Sequence, residues 1–175
     1  HQADLIDPDG AKRVVKSVGV INILANVAGG FTMGDSVADT SDDTWDFMFN
    51  LNARTVLNMA RAVIPHMVER KSGKIINIGA RAGLRGSASM AAYAASKSVV
   101  IRLTESLADE LKATGVNVNC VLPSIIDTER NRADMPNANF SHWVAPKALA
   151  KVVHFLASEA ADPIHGAAIP VEGLS

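Results

Sequence analysis

Residues 73–100, GKIINIGARAGLRGSASMAAYAASKSVV, change character twice. The opening GKIINIGA is an unbroken apolar run of strand length, the pattern of a strand covered on both faces. The middle is glycine and small polar residues. From residue 90 to 113 apolar side chains return at helical intervals, so the stretch reads as strand, loop and helix.

The same strand pattern recurs on either side. INILANVAGG (21–30) ends at a glycine pair, GVNVNCVLP (115–123) is a third run, and GAAIPVEG (166–173) is a weaker fourth because Pro170 has no N–H for a ladder. Helical segments lie between: residues 41–70 as one long helix opened by Ser/Asp caps and bent near Pro65, and 146–159 with a proline in its first turn. Strands alternating with helices predict a doubly wound parallel sheet, a Rossmann-like α/β fold. Ligands of such sheets sit at the carboxyl ends of the strands. Here those ends run into NVAGGFTMGD, GARAGLRGSASM and PSIIDTERNRADMPNANFSHW, all rich in glycine and small polar residues.

Composition removes several function classes. The chain has 175 residues, 48% of them hydrophobic, and a formal net charge of -1 from 17 basic and 18 acidic side chains. That fits one domain over residues 1–175, and without a basic run there is no surface for nucleic acid. No apolar segment approaches a membrane span. Cys120 stands alone, which points to a reducing, cytoplasmic setting. His66, His142 and His154 lack ligand spacing, so no metal site is expected. The opening HQADLIDPDG shows neither a signal peptide nor a capped helix and reads as if it starts inside a strand.

One helical turn separates Tyr93, the single tyrosine, from Lys97, so both point to one side of their helix. A phenol titrates near pH 10 and handles protons poorly at neutral pH unless a nearby positive charge favours its phenolate, a charge Lys97 can supply. An isolated Y-x-x-x-K is more often plain helix surface than chemistry.

The surroundings decide the matter. GKIINIGARAGLRGSASMAAYAASKSVVIRLTESLADEL resembles the short-chain dehydrogenase/reductase family along its whole length, NVAGG looks like that family's Asn-Asn-Ala-Gly turn, and VNCVLPSIIDT corresponds to its Pro-Gly turn and following Thr. The resemblance implies an oxidoreductase using NAD(H) or NADP(H) on a small-molecule substrate. Tyr93 would exchange the proton, Lys97 would hold the nicotinamide ribose, and Asn52 would support a proton-relaying water. Cofactor contacts carried over are Asp4, Leu5, Asn26, Ala28, Gly29, Tyr93, Lys97, Pro123, Ser124, Ile126 and Thr128. Helices 41–70 and 90–113 correspond to those that pair such proteins into homodimers or homotetramers. The alternative expectations are a silent remnant that only oligomerises and a generic carbonyl reductase.

Two departures stand out. The family's catalytic serine lies thirteen positions before the tyrosine, and position 80 is Ala, which cannot hydrogen-bond a carbonyl. Dihydropteridine reductases, a branch of the family, share that Ala and a pattern similar to LPSIIDTERNRADMPNANFSHW; this implies a quinonoid dihydropterin substrate beside Ala80, with Trp143 and Phe140 as a flat stacking surface. The second departure is the absence of G-x-x-x-G-x-G before VAGG, so the domain reads as partial, opening about 60 residues late with ADLID as the family's third strand. The strand at residues 21–25 is then expected at an exposed edge.

Overall fold

The computed structural model describes residues 1–175, with one four-stranded sheet in the order β1-β2-β3-β4: Ile23–Asn26, Gly73–Ile78, Val116–Pro123 and Ala168–Val171. Every pairing is parallel, with Leu24 beside Ile75, Ile75 beside Val118 and Val121 beside Ile169. Pro170 is accommodated because β4 is an edge strand, paired with β3 alone.

The helices are α1 (Pro8–Val18), α2 (Asp42–Phe49), α3 (Thr55–Glu69), α4 (Ala91–Leu111), α5 (Glu129–Asp134) and α6 (Pro146–Leu156). One face of the sheet carries the larger core, in which Met59, Val63 and Met67 of α3 and Leu107 and Leu111 of α4 pack on Leu24, Ile75 and Val118. On the other face Leu156 of α6 packs with Ile76 and Val121. Each fully buried side chain of this size contributes roughly 1.5–3 kcal/mol, so the two layers fix the sheet between them. No helix is long and apolar enough to cross a membrane.

Three expectations need correction. The long helix over 41–70 is interrupted not at Pro65, which lies inside an unbroken α3, but by a π-helical insertion at Asn50–Arg54. The opening residues form no strand: residues 1–4 have no regular structure and 5–7 are a bend. A capped helix does follow them, since the Asp7 carboxylate accepts from the N–H groups of Asp9 and Gly10 and Pro8 occupies the first turn.

Candidate active site

At the carboxyl ends of β1, β2 and β3, four elements meet around α4. Lys97 is 6% exposed and its ammonium donates to the Ile78 carbonyl at 2.9 Å, where β2 ends. Burial lowers the Lys97 pKa to about 8. The first α4 turn holds Tyr93, half-buried, whose hydroxyl has no hydrogen-bond partner on the chain. Burial pushes the Tyr93 phenol up. That direction is opposite to the phenolate bias expected from Lys97, because burial alone sets it.

Asn52 is wholly buried in the π-helical insertion. Its Oδ1 accepts from the Gly30 N–H at 2.9 Å, and its Nδ2 faces the Gly30 carbonyl at 3.1 Å and the Ser96 hydroxyl at 3.0 Å. Ser96, also buried, donates to the Tyr93 carbonyl at 2.8 Å. The side chain of Asn52 is therefore consumed in joining the loop after β1 to α4. Gly29 completes the arrangement: a Cβ there would lie 2.9 Å from Asn52 Oδ1 and 3.3 Å from Lys97 Nζ, so only glycine leaves that space open.

The remaining expected residues fall in two groups. Leu5, Asn26 and Ala28 line one cleft of about 170 Å³ along the outer edge of β1, together with Thr55 and Met59. Asn26 is buried and donates to Asn77 Oδ1 at 2.8 Å, and Asn77 donates to Thr104 at 2.9 Å, a polar rung through the core. Asp4 is exposed, its carboxylate accepting from the Ile6 N–H.

Past β3 the chain is held on itself. Pro123 ends the strand, Ser124 donates to the Glu172 carbonyl at 2.7 Å, Ile126 bridges to Val144, and the Thr128 hydroxyl caps α5. Ala80, 5% exposed, brings no hydroxyl to the site. Trp143 departs from its expected role as an open stacking surface: it is only 8% exposed, with Phe140 4.8 Å from it and the Arg132 guanidinium over the Phe140 ring. An indole buried in its own loop has no free face for a planar ligand.

Sequence reading missed Ser96 and Phe31. Phe31 packs nearly perpendicular to the Tyr93 ring, 4.8 Å between centroids. Neither has a motif of its own; each matters through a contact that only the fold creates. No group of three His, Cys, Asp or Glu side chains converges that could hold a metal ion.

The residues present fit the nicotinamide end of a dinucleotide. A lysine has three N–H donors and Lys97 directs one to Ile78, leaving two for hydroxyls, while Gly29 and the free Tyr93 hydroxyl leave room beside it. A parallel sheet with such a Tyr, Lys and Asn set at its strand ends defines a class, the nicotinamide-dependent oxidoreductases. Comparison with known proteins narrows it. The family model described as short chain dehydrogenase matches residues 2–139. The 3-oxoacyl-[acyl-carrier-protein] reductase FabG of Vibrio harveyi is 36% identical over 170 residues, which cover 93% of this chain and 69% of that protein. Its counterpart from Thermotoga maritima is 30% identical, covering 97% and 74%. Among solved structures, a gluconate 5-dehydrogenase from Burkholderia cenocepacia in complex with NADP and tartrate superposes with a TM-score of 0.89 at 30% identity, over 97% of this chain and 72% of that one. ElxO with NADP bound gives 0.90 at 26%, over 99% and 76%. This chain belongs to the short chain dehydrogenase family and is an NAD(P)-dependent oxidoreductase.

Proposed function

We propose that this chain carries the proton-transferring and nicotinamide-facing part of a carbonyl oxidoreductase, as a single partial Rossmann-like domain over residues 1–175. The observation that carries the reading is the Tyr93 hydroxyl, free of protein partners and one turn of α4 ahead of a lysine whose ammonium is held on the Ile78 carbonyl. When bound, a nicotinamide dinucleotide supplies the hydride. Tyr93 gives its proton to the substrate oxygen in reduction and takes it back in oxidation; a phenol holds its proton at neutral pH and so is ready for the forward step. Lys97 would offer its two remaining N–H donors to the ribose hydroxyls, and Asn52 holds Gly30 and Ser96 so that the glycine turn, Tyr93 and Lys97 keep one geometry. Leu5, Asn26 and Ala28 line the cleft beside β1 that would take the adenine side, with Asp4 near it in sequence, and Gly29, Pro123, Ser124, Ile126 and Thr128 would hold the nicotinamide end.

Substrate class turns on Ala80. With a methyl in place of a hydroxyl, Tyr93 is the side-chain donor left for a carbonyl oxygen, and a carbonyl substrate agrees with the relatives named as 3-oxoacyl reductases. The same methyl favours a second reading, a quinonoid dihydropterin, whose ring-nitrogen system has no ordinary ketone oxygen to hold. A cytoplasmic homodimer or homotetramer through helices 41–70 and 90–113 agrees with the exposure of Trp45, Phe47 and Val99.

The test uses the purified protein. Tyr93→Phe should retain cofactor affinity and lose on the order of a hundredfold in turnover; unchanged turnover overturns the assignment. Assayed with NADPH and NADH on 3-oxoacyl thioesters, ketones and a quinonoid dihydropterin, a large gain on Ala80→Ser for ketones alone supports carbonyl reduction. Preference for the pterin with no response to Ser supports the second reading.

A further inference from the structure

Phe31 is 53% exposed, an unusual state for a large apolar side chain at the mouth of a site, and its one aromatic contact is the Tyr93 ring at 4.8 Å and 88°. Near-perpendicular ring pairs at this separation attract beyond simple burial. The segment bearing Phe31 is pinned at both ends. Gly30 is fixed through its N–H and carbonyl by the Asn52 amide at 2.9 and 3.1 Å, and the Gly34 N–H donates to the Ser89 carbonyl at 2.9 Å. Asn52 lies on the π-helical insertion and Ser89 just ahead of α4, the helix that carries Tyr93. A Cβ on Gly30 would lie 2.6 Å from Leu51, so the backbone at the first anchor sits directly on that insertion. Between two fixed points, Phe31 cannot drift away from the phenol.

We propose that Phe31 is a positioning residue for the reaction: it sets the tilt of the Tyr93 ring and keeps water off that side of the phenol, so that the hydroxyl faces the substrate in one orientation. The proposal rests on Tyr93 being the proton donor. Its effect is separable from that of Asn52, which acts on the backbone of the segment and not on the ring.

The chain contains one tyrosine, so the ultraviolet absorbance of tyrosinate titrates Tyr93 alone and needs no substrate. Wild type, Phe31→Leu and Phe31→Ala are titrated from neutral to alkaline pH, with circular dichroism on the same samples to show that each remains folded. Phe31→Ala should move the midpoint down toward the free value near 10, and Phe31→Leu should fall between, because burial is what raises it. In turnover, Phe31→Ala should lower kcat by about three- to tenfold with KM within about twofold, and the alkaline limb of the pH profile should move with the absorbance midpoint. Midpoints that coincide in all three proteins overturn the proposal whatever the activity. A midpoint shift with kcat unchanged also overturns it, leaving Phe31 as a packing contact. Tyr93→Phe in the same assay separates the two claims: if it keeps full turnover, the proposed function itself falls, whereas if it is inactive and Phe31→Ala behaves as wild type, only the role of Phe31 falls.

Discussion

Lys97 shows what a single buried charge does to the chain that carries it. Its pKa of about 8 lies below the ordinary 10.5, so below pH 8 both folded and unfolded chains hold the proton and the burial cost is constant. Between 8 and 10.5 the folded chain releases that proton while the unfolded chain keeps it, and stability rises with pH at about 1.4 kcal/mol per unit. Cys120, buried and pushed up to about 11 from 9.0, acts oppositely above pH 9, where the unfolded thiol ionises first. The clean window is therefore pH 8 to 9. There wild type should gain roughly 1 kcal/mol relative to Lys97→Met in urea titrations, and parallel stability curves would show that Lys97 is not desolvated. The spacing of Tyr93 and Lys97 was legible because both lie on one helix face. The reversed direction of the phenol's shift was not, since it depends on how much of the ring the fold covers. Ser96 and Phe31 were illegible for a related reason: each acts across elements far apart in sequence.

Elements were legible to the extent that local signals set them. Four apolar runs became four strands, and the helices at 90–113 and 146–159 formed within two or three residues of their expected ends. Two helices lie outside the expected elements: α1, amphipathic and capped by Asp7 but preceded by an apolar opening that reads as strand, and α5, six residues held by the Thr128 cap and an Arg130–Asp134 pair. The interruption at Asn50–Arg54 is the more informative miss. Pro65 removes a donor yet leaves α3 unbroken, whereas the helix is diverted over the segment from which Asn52 bonds Gly30 and Ser96. Asn52→Ala should leave the part-buried Gly30 N–H without its amide partner and cost roughly 1–3 kcal/mol of unfolding free energy. A loss below about half a kcal/mol by chemical denaturation would mean that the insertion persists without the amide.

At the scale of the whole molecule, the uneven cover on the sheet governs what the 175-residue polypeptide does in solution. Helices α3 and α4 cover one face and α6 covers the centre of the other, but β1 keeps an unpaired edge, with Ile23 50% and Val27 67% exposed beside the cleft at Leu5 and Leu24. An edge of this kind presents unpaired N–H and carbonyl groups together with apolar side chains, and it pairs with whatever strand it meets. The relatives run longer than this chain, which spans 69% of one reductase and 74% of another. A second surface, the exposed Trp45, Phe47 and Val99 of α2 and α4, is the one proposed for closed pairing. Two different self-complementary surfaces on one chain carry association past the dimer, to a closed tetramer where their two-fold axes intersect and to an open chain where they do not. Sedimentation of this polypeptide should therefore show species larger than a dimer, growing as concentration is raised roughly a hundredfold. Ile23→Lys, which puts a charge on the edge strand without touching the α2 and α4 surface, should reduce the distribution to a dimer, and Phe47→Glu should leave only edge-paired species. If Ile23→Lys leaves the distribution of wild type intact, the edge of β1 is not an association surface and the growth must come from the helices alone.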